Sequence, residues 1–425
     1  MTRNEKYSPR VKEKYIKMSF ENGLDVYVVP KDTSSSSAVF AVNFGSCDTV
    51  CVDENGEKFN VIEGSAHFLE HKMFETKDGD AFEQYAAFGG DANAYTAGDK
   101  TVYLFSATDN FYDNLRILLS HVTNPHFTER SVKKEKGIII QELKMYSDNP
   151  SWQCHRAMMR CLYGGTPLSS DPGGTVESVE TITKKDLEAC RRFAYRLSDM
   201  VLCICGNVDA DKVAEVVTEV TGHIGYRPRY VPEPIRFDDV DVIPYVESSF
   251  DVSLPLFSVG IRLDKNGAVG DMKQFAAIEL IVGLLFGQSG DFYSDCYENG
   301  LFESFGSSYQ TMRKAFFIEL SGYSKKPEVL FEKIKDCIRH AKENGFDEKD
   351  FERVKKAQYA DILFDFDSPE SVTDSFVSFA LEGDDMFDYP DIMAGITKEY
   401  AEKCLDLFSD DCMCLSVITP KEDNK

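Results

Sequence analysis

Two segments of this chain read alike when one is laid over the other at an offset of 219 residues without a gap. They are "FTERSVKKEKGIIIQELKMYSDNPSW" from Phe127 and "FDEKDFERVKKAQYADILFDFDSPES" from Phe346. At that offset Phe127 meets Phe346, Asp148 meets Asp367 and Pro150 meets Pro369. Each pair bounds a segment with helical apolar spacing. Both halves also close on an apolar strand preceded by a helix: "KKDLEACRRFAYR" before "DMVLCICGNV", and "TKEYAEKCLDLF" before "DDCMCLSVITP". A chain built this way is expected to fold as two similar domains. Its 425 residues also exceed the roughly 250–300 at which a single core stops growing. Residues 226 to 245, "YRPRYVPEPIRFDDVDVIPY", carry four prolines among mixed charges and suit an extended linker. The expected organisation is a first domain over 1–228, a linker over 229–245 and a second domain over 246–425.

In the first half the pattern predicts strands near 24–31 and 38–45, a helix over "SAHFLEHKMFE" and another near 80–88. Strands follow near 91–97 and 101–108, then long helices near 109–123, 128–147 and 151–163. Adjacent strands joined by short turns and followed by runs of helices indicate an α+β fold, each domain a mostly antiparallel sheet layered with helices. A doubly wound dinucleotide-binding sheet is disfavoured, because its glycine fingerprint is absent. The second half carries the same kinds of element with weaker strand signals.

The stretch "SAHFLEHKMFE" places His67 and His71 four apart with Glu70 directly before the second histidine. On a helix such residues share a face, so both imidazoles can meet at one point beside a carboxylate. A catalytic zinc site usually has three protein ligands and an open position for water, so a third donor is required. The helix after Phe127 offers Glu135 and Glu142 in "EKGIIIQE", seven apart and on one face, with isoleucines 138 to 140 expected to bury it. Spacing alone does not choose between the two glutamates. His121, His126, His155, His223 and His340 stand alone and are expected to be surface or satisfied core residues. At the 219 offset His67 and His71 fall on Phe286 and Gly290, and Glu142 falls on Asp361, so the second half lacks the motif.

The formal net charge of −25, from 72 acidic and 47 basic residues, argues against a nucleic-acid partner, because phosphate backbones require clustered Lys and Arg. The first twenty residues are charged throughout, and no stretch approaches 18 uninterrupted apolar residues. The expectation is a soluble, unexported, cytoplasmic protein without membrane insertion. The twelve cysteines lie scattered in apolar runs and are expected to be reduced core residues. Cys47 and Cys51 have no second pair at finger spacing and do not read as a metal site.

"EGSAHFLEHKMFE" resembles the inverted zinc motif of the pitrilysin-type (M16) peptidases, the family of mitochondrial processing peptidase and insulin-degrading enzyme. "GGDANAYTAGDKTVYLFSA" resembles that family's Asn-Ala-x-Thr edge strand, and "EKGIIIQELKMYSDNP" its two-glutamate helix. The chain is most similar to the short bacterial members that work in pairs, one chain with the zinc motif and one without. The resemblance implies zinc held by His67, His71 and Glu142, with Glu70 as general base and Glu135 supporting the site. Zinc would then activate a water whose proton Glu70 accepts as the water attacks a peptide carbonyl. An extended peptide would pair with the free edge of "DANAYTA", where Asn93, Ala94 and Tyr95 are the expected contacts. The implied activity is a zinc endopeptidase working in a two-subunit chamber. The alternatives are a processing-assistance subunit with a structural zinc, or a protease dedicated to maturing one peptide. Zinc-free partners in the family carry an arginine and a tyrosine around a Gly-Leu step. Here "SDCYENGLFESF" puts Cys296 or Tyr297 at the first position and Glu303 at the second, with Arg313 and Tyr309 only farther along. This departure implies a heterodimer with an arginine-bearing paralogue, with a homodimer as the alternative.

Overall fold

A computed structural model describes residues 1–52, 55–237, 239–264 and 270–421. In the first sheet the strands are β1 (Thr2–Ser8), β2 (Glu13–Ser19), β3 (Asp25–Pro30), β4 (Ser36–Val42), β5 (Asp91–Thr96), β6 (Thr101–Ala107) and β7 (Met200–Gly206). The second sheet contains β8 (Tyr245–Phe250), β9 (Leu256–Arg262), β10 (Ser304–Met312), β11 (Ala315–Tyr323) and β12 (Met413–Pro420). The strand orders are β1-β2-β3-β7-β4-β6-β5 and β8-β12-β9-β11-β10. Without the first hairpin the two orders are the same. In each sheet a single parallel pair, β3 with β7 or β8 with β12, interrupts an otherwise antiparallel ladder. The fold is α+β with two homologous domains, and the repeat seen in the sequence is a repeat of topology.

The principal helices are α1 (Ser65–Met73), α2 (Phe111–Thr123), α3 (Glu129–Ser147), α4 (Pro150–Tyr163), α5 (Lys184–Ala194), α6 (Ala210–Thr221), α7 (Met272–Phe286), α8 (Asp291–Glu298), α9 (Pro327–Asn344), α10 (Glu348–Asp365) and α11 (Pro369–Glu382). Shifted by 219 residues, α4 coincides with α11 at both ends. The cause is local. Pro150 and Pro369 occupy the first helical position, where a missing N–H costs nothing, and Asn149 and Ser368 accept the free N–H groups of Trp152 and Ser371.

The compact units do not follow the halves of the sequence. One unit comprises Met1–Leu143, Asp171–Glu233 and Ile362–Pro390; the other comprises Lys144–Ser170, Pro234–Asp361 and Asp391–Lys425. Each therefore contains the equivalent long helix of the opposite half, α11 in the first and α4 in the second. The change of unit at Glu233–Pro234 lies inside the proline-rich stretch. The helix exchange differs from the expected division at 1–228 and 246–425, because it depends on packing between distant segments rather than on any local signal. In the first unit α11 lies against β4 and β7, with Ser37 Oγ and Thr373 Oγ1 2.9 Å apart. Strands β4 and β7 are buried at every position, as a strand covered on both faces requires. In the second unit α4 lies against β9 and β12. There a side chain at Gly260 would stand 2.8 Å from Leu162 and Met158, so close helix–sheet packing uses the absence of a Cβ.

The β1–β2 hairpin was not expected from the sequence. Its outer strand is exposed over residues 2–5 and shows no apolar alternation, so it has neither of the usual strand signals.

Candidate metal centre

Helix α1 begins at Gly64, whose φ of 87° lies in the left-handed region. A Cβ there would stand 2.5 Å from the carbonyl oxygen of Gly173, so both conformation and space call for glycine. From that start Ala66, Phe68, Leu69 and Met73 enter the core. The helix is thereby fixed in rotation, and His67, Glu70 and His71 come together on a neighbouring face. Helix α3 supplies the opposing carboxylates. Ile139 is fully buried while Ile138 is 45% exposed, so one isoleucine, not three, anchors this helix, with Ile140 and Leu143 packed against the core margin. Ile139 sits between Glu135 and Glu142 on the helical repeat and turns both toward α1.

Nε2 of His67 is 3.8 Å from Glu142 Oε1, and Nε2 of His71 is 3.5 Å from Glu142 Oε2. Two donors on one tetrahedral zinc, each 2.0–2.1 Å from the ion, stand about 3.3 Å apart. One ligand atom from each of the three residues lies within 4.8 Å of the others, and this is the only such group among the described residues. Glu135 is turned elsewhere: its Oε1 is 3.1 Å from His71 Nδ1. Facing an ionised carboxylate, Nδ1 carries the ring proton and donates it, which leaves the Nε2 lone pair toward Glu142. The two glutamates that spacing could not separate are thus separated by position. Glu70 completes the group, with Oε2 4.0 Å from His67 Nε2 and accepting a 2.9 Å hydrogen bond from Thr96 Oγ1.

The protonation tendencies of these side chains differ. Burial, assisted by the neighbouring His71, lowers the His67 pKa to about 4, so that ring stays neutral and able to ligate. Burial pulls His71 the same way, but the Glu135 hydrogen bond and the Glu70 and Glu142 charges outweigh it and leave its pKa raised. The His71 hydrogen bond lowers that of Glu135. Burial raises that of Glu70 against the opposing effects of His71 and Thr96, which moves it toward the range useful for a base. Protons on His71 compete with a metal, so affinity should fall as the pH drops through its raised pKa. Glu135→Ala should weaken metal binding by about 10–100-fold through loss of ring orientation. A competition titration against a chromogenic chelator measures this; unchanged affinity would mean that His71 needs no orienting carboxylate.

Strand β5 is the outer strand of its sheet. The Ala97 N–H donates to Lys100 O at 2.8 Å, and antiparallel alternation then turns the backbone groups of Ala92, Ala94 and Thr96 to the free edge. The Ala94 N–H accordingly finds no ladder partner and donates to Asn93 Oδ1 at 2.9 Å. Tyr95 is the third of the contacts expected on this strand. Its side chain lies on the sheet face opposite Thr96 and its hydroxyl donates to Asp374 Oδ1 on α11 at 2.6 Å, so it holds the strand in place. Thr96, Gly173 and Asp374 were not singled out from the sequence. Only Thr96 carried a signal, as the threonine of the Asn-Ala-x-Thr stretch. The remaining histidines stay outside the group: His121 is 3.2 Å from the Tyr85 hydroxyl, His155 2.8 Å from Glu319 and His340 3.1 Å from Asn344. In the second unit Phe286 is buried and Asp361 is exposed.

Family models place residues 31–175 in the insulinase family (peptidase family M16) and residues 181–358 in the peptidase M16 inactive domain. The uncharacterized zinc protease YmfH of Bacillus subtilis is 35% identical over 385 residues, covering 89% of this chain and 90% of that protein. A probable mitochondrial-processing peptidase subunit beta of Schizosaccharomyces pombe is 26% identical over 196 residues, covering 42% of this chain and 43% of its own. The crystal structure of a putative M16-like peptidase from Alicyclobacillus acidocaldarius superposes with a TM-score of 0.90 at 31% identity, covering 96% of this chain and 99% of the other. Pitrilysin shares the fold at a TM-score of 0.77 and 18% identity, with this chain matching 46% of its length. With both family domains matched in order along one chain, this protein belongs to peptidase family M16.

Proposed function

We propose that the chain is a zinc-dependent endopeptidase that hydrolyses peptides bound in an extended conformation. The convergence of the His67, His71 and Glu142 donor atoms beside Glu70 supports this function. Two imidazoles and a carboxylate form a donor set suited to catalytic zinc, which keeps a position for water, and Glu135 already holds His71 in the ligating tautomer. When bound there, zinc would lower the pKa of a water and polarise the substrate carbonyl. The chain's own groups supply the rest. Glu70 takes the proton of the attacking water on its carboxylate and returns it to the leaving amine. Thr96 holds one Glu70 oxygen so that the other stays available. The Ala94 backbone pairs with the peptide once the Asn93 carboxamide swings away, and Tyr95 steadies the strand through Asp374. A purely structural metal site would have no use for a carboxylate held beside it.

A partner chain is part of this proposal. Cys296 is fully buried and Glu303 is paired with Lys325 at 3.1 Å, so neither offers a cationic donor; Tyr297 is exposed but has a single neutral hydroxyl. Arg313 sits at the turn between β10 and β11, with φ of 45°. A paralogue bearing arginine and tyrosine at these positions would complete the grip on substrate, in a reducing, cytoplasm-like compartment. The test measures cleavage of an extended peptide by the purified chain, alone and with such a paralogue from the same source. Chelator-sensitive cleavage that rises on adding the paralogue is expected. Strong activity of the lone chain, unchanged by the paralogue, would contradict the heterodimer; no zinc-dependent cleavage in either case would contradict the peptidase.

A further inference from the structure

Away from the metal centre, the first unit holds a cavity of about 280 Å³ in which Arg191, Arg192, Arg196, Arg227, His223 and Asn124 are among the lining residues. No aspartate or glutamate lines it. That concentration of positive charge runs against the composition of a chain with 72 acidic and 47 basic residues. The residues come from three segments: the end of α2, the last turn of α5 with the residues immediately after it, and the stretch after α6. We infer that this cavity is a binding site for a compact, multiply charged oxyanion of the phosphate type.

Three of the arginines are tied to backbone carbonyls. Arg191 Nη2 donates to the Thr123 carbonyl at the end of α2, Arg227 Nη1 to the Arg192 carbonyl in α5 at 2.6 Å and Arg196 Nη1 to the Pro228 carbonyl at 2.7 Å. Each bond satisfies a backbone oxygen, two of them at helix C-termini. A guanidinium carries five N–H donors, so the bond to Thr123 orients the Arg191 fork and leaves further donors on that side chain. Nε of Arg191 is buried with no hydrogen-bond partner, a polar atom for which a bound oxyanion would supply the acceptor. Carboxylates outside the lining also interact with the cluster, among them Glu188 with Arg191 and buried Asp199 with Arg196 and Arg227. Four guanidiniums line the cavity and no carboxylate does, which leaves its lining positive. His223, Gly225 and Arg192 are exposed, so the cavity opens to solvent. Its volume falls just below the roughly 300–1,000 Å³ of sites for drug-sized ligands, which suits a small anion. Planar arginine forks match tetrahedral oxyanions bidentately.

The test titrates the full-length, zinc-loaded chain with inorganic phosphate by calorimetry, with chloride matching the ionic strength. A saturable single site is expected, and Arg192→Glu should weaken it by about tenfold or more, the effect of losing a charge-assisted hydrogen bond. Arg192 is exposed, so this variant should keep wild-type zinc content and thermal unfolding. His223→Ala, removing a second exposed donor, should weaken binding in the same direction. Arg160→Glu, an equal charge change on the exposed side of α4, should leave affinity unchanged. Absence of saturable binding, or equal weakening by Arg192→Glu and Arg160→Glu, would overturn the inference.

Discussion

Glu70→Gln is expected to bind zinc as the unaltered chain does and to hydrolyse peptide at least about 100-fold more slowly, the lower end of what a positioned general base contributes. The substitution is close to isosteric, and the amide oxygen can still accept from Thr96 Oγ1, which donates to Glu70 at 2.9 Å. The neighbouring ligands should therefore stay in place, and the loss should appear in kcat. Metal content and steady-state cleavage of one extended peptide, measured on the same preparation, separate the two effects. Near-normal cleavage with normal zinc would remove Glu70 from the chemistry.

Glu142→Gln should lose zinc. Both imidazoles face this carboxylate, at 3.8 and 3.5 Å, and a neutral carboxamide is a far weaker donor to a hard or borderline cation. Peptide cleavage should vanish with the metal and return in part only at excess zinc. Full occupancy of the variant at sub-micromolar free zinc would transfer the ligand role to Glu135. Glu135→Ala discriminates further. If Glu135 orients His71 it should weaken affinity, whereas a direct ligand would take the metal with it.

How much of this was legible in the sequence varied with the range of the interaction. Helix ends were legible, because Pro150 and Pro369 with their capping neighbours act within four residues. The 219-residue offset then exposed the repeat that both sheets bear out. The His67-Glu70-His71 face was legible from helical geometry alone. The choice between Glu135 and Glu142 was not, since both lie on one face of α3, and it is decided by which atom of His71 each one meets. Burial of all three isoleucines was an overreach: a helix touching the core along one stripe buries every third or fourth residue, and Ile138 lies off that stripe. The exchange of α4 and α11, the Tyr95–Asp374 bond and the arginine cavity each join segments far apart in the chain, for which no local pattern exists.

The central claim is that the two histidines and a carboxylate hold the zinc, and the rival donors within this chain are its twelve cysteines, none of which is in a disulfide. X-ray absorption at the zinc edge of the stoichiometrically loaded protein distinguishes them directly. The account predicts nitrogen and oxygen neighbours at about 2.0–2.2 Å, with imidazole scattering from two histidines and no sulfur. A sulfur shell near 2.3 Å, or imidazole scattering unchanged in a His67→Ala, His71→Ala double variant, would contradict it.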